Sequence, residues 1–138
     1  MEDKSRFVTV SAPSFPDALF NGPLTVDPGQ RWQVLCGDTD HWRVGVFSPP
    51  ETRADDLAEL ERHDCPELFL LISGRLTLVL AGPNGPEELP LQQGQPVLVT
   101  APHGGFCPDG PHSGAALVVE RDAFTTEYRP HGEWRLTP

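Results

Sequence analysis

The chain has 138 residues, enough for one domain with a buried core of its own. A formal net charge of −10 and a pI near 4.7 argue against nucleic acid or an anionic membrane surface as a partner. Three cysteines lack a Cys-x-x-Cys pair, and no apolar run approaches the ~20 residues that span a membrane. These features favour a protein of the reducing cytoplasm.

The first half of the chain predicts short strands separated by turns. Sixteen prolines and thirteen glycines disfavour long helices. Residues 1–30 predict an N-terminal extension that lies along the outside of the fold or across a neighbouring subunit, and 7–10 is its one strand candidate. Strands are predicted over 31–36 and 41–47, joined by a hairpin turn. The acidic segment 54–62 is the only predicted helix.

The second half continues the same pattern. A long loop is predicted over residues 102–114, where glycine and proline are frequent. Short strands with a turn every eight to twelve residues indicate an all-β antiparallel sandwich or barrel. The predicted strands of this half cover residues 67–72, 76–81, 87–91, 96–101 and 115–120, the last of which is expected to end the sheet structure.

The segment HDCPELFLLISG places His63 four residues before Glu67, which an apolar run separates from Gly74. Imidazole and carboxylate together suit zinc, iron, manganese or nickel. The alternative interpretation is a polar turn that leads into a core strand. Four residues of straight strand span roughly 13 Å, too far for two ligands with metal bonds of about 2 Å. If both bind one metal, residues 64–66 must therefore bend the chain.

With these features the chain resembles the cupin superfamily over about residues 40–121. The first cupin motif runs as glycine, a gap, His-x-His, three or four residues, glutamate, six residues and glycine. His63, Glu67 and Gly74 match its later part, and ELFLLISGRLTLVLAG resembles the strand-turn-strand that follows. Glu61 replaces the first histidine of the pair, and it shares a face with His63 if that segment is extended.

The second cupin motif is matched by LQQGQPVLVTAPHGG, with Gly94, Pro102 and His103 as its glycine, proline and histidine. Pro102 and His103 are adjacent here, without the intervening glycine of the family pattern. His103 directly follows a predicted strand, whereas the alternative histidine, His112, lies close to the next strand. Arg43, Arg62 and Arg75 are the cationic residues nearest the motifs, and we expect them at the surface.

The resemblance implies a single cupin-like β-barrel or jelly roll over residues 1–138, with a small-molecule site in the barrel. It implies a mononuclear divalent transition metal (Zn, Fe, Mn or Ni) and reactions of the oxygenase, isomerase, decarboxylase or lyase type. An open sheet edge also predicts a homodimer. The metal ligands implied are Glu61, His63, Glu67 and His103, with His112 as the alternate for the last.

Two other functions fit the same residues. One is a metal-free ligand-binding or sensing module, in which Glu61, His63 and His103 form a hydrogen-bonding pocket. The other is a barrel that resembles sugar-nucleotide isomerases, where a histidine–carboxylate pair transfers protons without metal. The loop over residues 102–114 lacks basic residues that would bind a diphosphate, which disfavours this last function.

Overall fold

A computed structural model describes residues 20–130 and Trp134. The described chain forms ten strands and one short 3₁₀ turn at Ala54–Asp56, and no α-helix. The strands are β1 (Trp32–Asp38), β2 (Trp42–Phe47), β3 (Glu59–His63), β4 (Glu67–Ser73), β5 (Thr77–Gly82), β6 (Gly85–Pro90), β7 (Val97–Val99), β8 (His103–Phe106), β9 (Ala115–Arg121) and β10 (Thr126–Pro130).

The strands are divided equally between two five-stranded sheets. The first sheet has the order β1-β2-β9-β4-β7, and the second has the order β10-β3-β8-β5-β6. Neighbouring strands pair antiparallel in both sheets. The predicted all-β class is therefore confirmed, and the architecture is a two-sheet jelly roll. None of the helical segments among the described residues has the length and apolarity to cross a membrane.

The predicted helix over residues 54–62 is wrong. Only Ala54–Asp56 forms a 3₁₀ turn, and Glu59–His63 is strand β3, between β8 and β10. Alternation explains the outcome, because Leu60 is buried on one face of the strand while Glu61 lies on the other. Strand partners that are distant in sequence override the local helical pattern of acidic and apolar residues.

Two further strands lie where the sequence did not predict them. The loop predicted over residues 102–114 contains β8, whose His103 pairs with Glu61 on β3 and with Leu80 on β5. Strand β10 follows β9 and pairs with β3. Both strands are short, and β8 contains two glycines, so neither carries a local strand signal. The strand candidate at residues 7–10 lies outside the described residues.

The main core lies between the sheets and continues away from His103 toward the β4–β5 turn. Phe69, Leu71, Leu78, Ala116 and Val118 are among its buried members. A smaller cluster covers the outer face of the second sheet, where Leu57, Leu60, Val79, Ala81 and Phe106 pack together with Trp134 against them. On β3 and β8 the outer face carries Leu60 and Phe106, and the inner face carries Glu61, His63 and His103. A shift of one residue would exchange the two faces, so this alternation fixes the register.

Two local features support the ends of the sheets. Gly74 in the β4–β5 turn has a φ of 61°, and a side chain there would collide with the backbone of Ser113. At the other end, residues 20–30 are exposed, and Asp27 exchanges two hydrogen bonds of 2.8 Å with the side chain of Gln33 on β1.

Candidate metal and ligand site

The segment between His63 and Glu67 carries the chain from one sheet to the other. Strand β3 ends at His63 in the second sheet, and β4 begins at Glu67 in the first sheet. Asp64 holds the bend, since its backbone N–H donates to the Thr125 carbonyl and its carboxylate accepts from the Thr125 N–H at 3.1 Å. The bend predicted over residues 64–66 is confirmed, and it brings His63 and Glu67 together from opposite sides of the interior.

The second sheet contributes three of the four predicted ligands. Glu61 and His103 are directly paired across β3 and β8, so their side chains lie on the same face. His63 is two residues after Glu61 on β3 and shares this face. One donor atom from each of the three residues lies within 4.8 Å of the others, a grouping that could hold a metal ion.

The first sheet contributes Glu67 and two residues that the sequence analysis did not select. Glu120 on β9 is 6% exposed, and it pairs with Arg43 on the neighbouring strand β2. Donor atoms of His63, Glu67 and Glu120 form a second group within 4.8 Å of one another. The expected surface position of Arg43 is wrong, because its side chain lines the same cavity and its Nε donates to Oε1 of Glu120 at 2.8 Å.

Both imidazole rings are oriented by hydrogen bonds on their Nδ1 side. His103 Nδ1–H donates to the carbonyl of Ala101 at 3.0 Å, and His63 Nδ1 shares a hydrogen bond of 2.7 Å with the hydroxyl of Thr126. With Nδ1 occupied, Nε2 is the nitrogen that each ring presents to the carboxylates. Metal-binding histidines typically have this arrangement, in which the distal nitrogen is fixed by a second group.

The carboxylates of Glu61 and Glu67 lie close to the imidazoles of His63 and His103. His103 Nε2 is 3.2 Å from Oε2 of Glu67 and 3.8 Å from Oε1 of Glu61, while His63 Nε2 contacts Glu67 and is 3.6 Å from Glu61. Yet His103 Nε2 and Glu67 Oε1 are buried without a partner in hydrogen-bonding geometry. Buried polar atoms are usually satisfied, so this pair marks a place for an additional group.

The electrostatics of the site reflect close opposite charges. Burial lowers the pKa of His63, but Glu61 and Glu67 outweigh it and raise the pKa to about 9. Burial raises the pKa of Glu67, but His103 and His63 outweigh it and lower the pKa to about 2. For Glu120, burial and the neighbouring Glu67 raise the pKa to about 7 against the opposing effect of Arg43.

These groups line a cavity of about 260 Å³ whose remaining wall is largely aromatic. The ring of Phe124 lies edge-on to His63 at 4.7 Å, and that of Phe69 lies edge-on to His103 at 5.6 Å. The indole of Trp32 packs directly against Gly45, where a side chain would collide with it. The other lining residues are Arg31, Phe47, Val118, Thr126 and Tyr128.

The alternate candidate His112 lies elsewhere. Its Nδ1 is 2.6 Å from the carbonyl oxygen of Ser48, it has a positive φ of 58°, and it is not among the cavity-lining residues. The structure therefore brings together Glu61, His63, Glu67 and His103 and leaves His112 apart. Glu120 and Arg43 could have been selected from alternation, since each shares a face with apolar residues of a predicted strand.

Comparisons with known proteins agree on the fold. The sequence matches no protein-family profile, and no curated protein is similar to it. The structure is similar to a cupin-2 domain-containing protein from Halorhodospira halophila, with 19% identity, a TM-score of 0.52 and coverage of 79% of this chain and 71% of that one. A cupin-2 domain protein from Shewanella frigidimarina has 13% identity, a TM-score of 0.51 and coverage of 70% and 84%.

A third similar structure is hydroxypropylphosphonic acid epoxidase from S. wedmorenis in complex with fosfomycin. It has 17% identity, a TM-score of 0.53, and coverage of 65% of this chain and 49% of the epoxidase, so the chain spans about half of that enzyme. At such identities the similarity concerns the fold alone. The jelly roll described above is therefore a cupin fold, as the two sequence motifs predicted.

Proposed function

We propose that this protein binds a small molecule in the cavity around one divalent transition metal held by Glu61, His63, Glu67 and His103. The observation that carries the proposal is the convergence of imidazole and carboxylate donor atoms: His103 Nε2 lies 3.2 Å from Glu67 Oε2, and donor atoms of Glu61, His63 and His103 lie within 4.8 Å of one another. Two imidazoles and two carboxylates are a donor set that suits zinc, iron, manganese or nickel. The residues present thus fit a metal of this class.

Each part of the cavity has a role in this proposal. Ala101 and Thr126 hold the two imidazoles with Nε2 toward the metal position. The aromatic wall limits the access of water and offers an apolar surface to the ligand. A bound metal would supply Lewis acidity and open positions for water or a bidentate substrate. Catalysis of the oxygenase, isomerase or lyase type is part of the proposal.

Elemental analysis of untagged protein tests the metal site. We expect close to one equivalent of one transition metal in the wild type and its loss in His63→Ala. His41→Ala is the matched control, because His41 is exposed at the β1–β2 turn and is not a lining residue. Unchanged metal content in His63→Ala would contradict the assignment.

The alternative function is a metal-free ligand-binding module, and the internal pairing of Glu67 with both histidines favours it. These pairs offset part of the buried charge without any cation. The same elemental analysis separates the two functions. Protein with less than about a tenth of an equivalent of metal, and with no uptake on addition of Zn²⁺, Mn²⁺, Fe²⁺ or Ni²⁺, would support the metal-free module.

We also propose that the protein is a homodimer, and that the outer face of the first sheet forms the interface. Val44, Val119, Leu68 and Leu98 are paired in one row across β2, β9, β4 and β7, on the face opposite the cavity. Leu98 is 66% exposed. Such a continuous apolar row is typical of protein–protein contacts. Light scattering should give a dimer mass for the wild type and a monomer mass for Leu98→Glu.

The proposal includes a cytoplasmic location. All three cysteines are free thiols, and Cys65 and Cys107 are buried. Thiols of this kind are usual in a reducing compartment.

A further inference from the structure

We propose that Glu120 is a fifth protein ligand of the metal site, and that it contributes more to the affinity for Mn²⁺ or Fe²⁺ than to the affinity for Zn²⁺. This inference rests on the proposed function, because it assumes that the cavity holds a metal. It adds a ligand on strand β9, outside the two sequence motifs that supply the other four.

The register of the first sheet places Glu120 beside Glu67. Strand β9 lies between β2 and β4 and runs antiparallel to both, so the carboxyl end of β9 meets the amino end of β4. Glu67 starts β4 and Glu120 is the penultimate residue of β9. Their donor atoms and one from His63 lie within 4.8 Å of one another. A single ion can therefore contact all three residues.

Arg43 holds the Glu120 carboxylate by one oxygen only. Its Nε donates to Oε1 at 2.8 Å, and the carboxylate also interacts with the neighbouring Glu67, a contact that a bound ion could replace. Arg43 is fixed in turn between two aromatic rings, with its guanidinium carbon 5.5 Å from the ring centre of Trp32 and 5.0 Å from that of Phe124. Metal-binding carboxylates are commonly oriented by a second hydrogen-bonding group in this manner.

Charge also favours a cation beside Glu120. The Glu120 side chain is only 3% exposed, and that of Glu67 is 4% exposed. Two adjacent buried carboxylates are costly unless positive charge compensates them. Arg43 pairs with Glu120 and the two histidines pair with Glu67, and a divalent cation between the two carboxylates would add positive charge where they adjoin.

The number and type of donor atoms indicate which metal ion gains the most affinity from a Glu120 ligand. With Glu120 the site offers two imidazole nitrogens and three carboxylates. Zinc sites are almost always four-coordinate and tetrahedral, so five protein donors exceed what Zn²⁺ requires. Manganese and ferrous iron accept higher coordination numbers and oxygen-rich donor sets. A sixth position would stay open for water or substrate.

Dissociation constants for Mn²⁺ and Zn²⁺ test this inference on the metal-stripped full-length chain. We compare the wild type with Glu120→Gln, which removes the charge, and Glu120→Asp, which keeps the charge but withdraws the carboxylate by one methylene. Glu88→Gln is the control, because Glu88 is exposed on β6. We expect both Glu120 variants to weaken Mn²⁺ binding by about 100-fold, at the upper end of effects seen for groups behind the ligands, and Zn²⁺ binding by less than about 10-fold.

The outcomes separate this inference from the proposed function. Wild-type protein that binds neither metal would overturn both. Wild-type protein that binds metal, with unchanged constants in both Glu120 variants, would overturn only the role of Glu120. Equal weakening of Mn²⁺ and Zn²⁺, or full retention of Mn²⁺ affinity in Glu120→Asp, would overturn the ligand assignment and leave Glu120 as a source of charge.

A second measurement does not depend on the folding of a variant. Wild-type crystals can be soaked in Mn²⁺, and the bound manganese ions can be located by their anomalous scattering. A manganese ion within bonding distance of a Glu120 oxygen, roughly 2.2 Å, would support the inference. An ion bound to the histidines with Glu120 still on Arg43 alone would overturn it.

Discussion

The two ends of the interior differ sharply although the same strands build both. Facing side chains along β4 change from Glu67 to Leu71, and along its neighbour β9 they change from Glu120 to Ala116. Because the two strands are antiparallel, both carboxylates lie at one end and both apolar residues at the other. We call these the polar end and the apolar end. The interior of this jelly roll thus separates charged from apolar side chains along a single pair of strands.

The difference follows from opposite energetic contributions. Burial of apolar surface at the apolar end stabilises the fold by about 25 cal/mol per Å². Burial of Glu67, His103 and Glu120 at the polar end costs desolvation free energy, which ion pairs recover only in part. The apolar end therefore stabilises a polar end that is arranged for binding. Four predictions test this separation, in order of decreasing effect on free energy.

The largest effect is expected from Leu78→Ala at the apolar end. Leu78 is fully buried in the core between the sheets. Truncation of a buried leucine typically lowers the free energy of unfolding by about 2–5 kcal/mol. Urea denaturation of the metal-stripped protein measures this loss. Metal affinity of the folded variant should be unchanged, and a fall of more than about 10-fold would show that the two ends are coupled.

The second effect concerns the pH dependence of the metal-stripped protein. Glu61 and Glu67 raise the folded-state pKa of His63 to about 9, above the ordinary histidine value of 6.5, so its contribution to stability is fully present below pH 6.5 and is lost as pH rises through 9. The loss amounts to about 3 kcal/mol for a shift of this size. Glu120, whose pKa is raised to about 7, changes stability in the same direction between pH 4.5 and 7.

Urea denaturation in a chelating buffer at pH 6 and pH 9.5 measures this change. His63→Gln is the comparison, because it removes one titrating ring and should reduce the loss of stability above pH 6.5, while His103, whose pKa its neighbours Glu67 and Glu61 also raise, still titrates. A metal-stripped wild type that is equally stable at both pH values would contradict the prediction. Metal affinity should change in the opposite direction, since a histidine ligand must lose its proton to bind.

The third effect compares the same substitution at two places. Phe124 contacts both the His63 ring and the Arg43 guanidinium, whereas Phe106 is buried in the cluster outside the second sheet. Phe124→Leu should weaken metal binding about 10-fold, because a group that positions ligands is lost. Phe106→Leu should lower stability and leave metal affinity unchanged. Calorimetric titration measures both, and equal effects on affinity would contradict the separation.

The smallest effect is expected at the exposed ion pair of Arg75 and Asp109. Its atoms are 3.0 Å apart, and the two side chains are 69% and 52% exposed. Exposed pairs contribute about 0–1 kcal/mol. Arg75→Ala should therefore shift the melting temperature only slightly and leave metal affinity intact. A change in affinity would mean that the surface beyond the apolar end influences the polar end.

The sequence predicted the bend over residues 64–66 better than it predicted the strands around it, and the four metal ligands stay a prediction. His63, Glu67 and Gly74 keep the spacing of a cupin motif, and the bend over residues 64–66 follows from the reach of a metal bond. Strand β3 was predicted as a helix because its partners, β8 and β10, lie more than 35 residues away. Such pairing leaves no local signal, and tertiary contacts override local propensity.

The residues that the motifs omit were missed for a related reason. Arg43 and Glu120 are paired across two strands that are 77 positions apart in sequence. Alternation places each on the inner face of its strand, but only the register brings both beside Glu67. An arginine and a glutamate on the inward face of two apolar strands were the available signal, because such residues seldom lie in an interior without a partner.

Because the chain crosses from one sheet to the other at Asp64–Pro66, the site depends on both sheets of the jelly roll. Glu67 and Glu120 belong to one sheet, and Glu61, His63 and His103 belong to the other. A ligand bound by residues of both sheets would join the two sheets. It can stay bound only while the sheets remain packed together. Occupancy should therefore slow amide exchange most in β3 and β9, whose ends it joins.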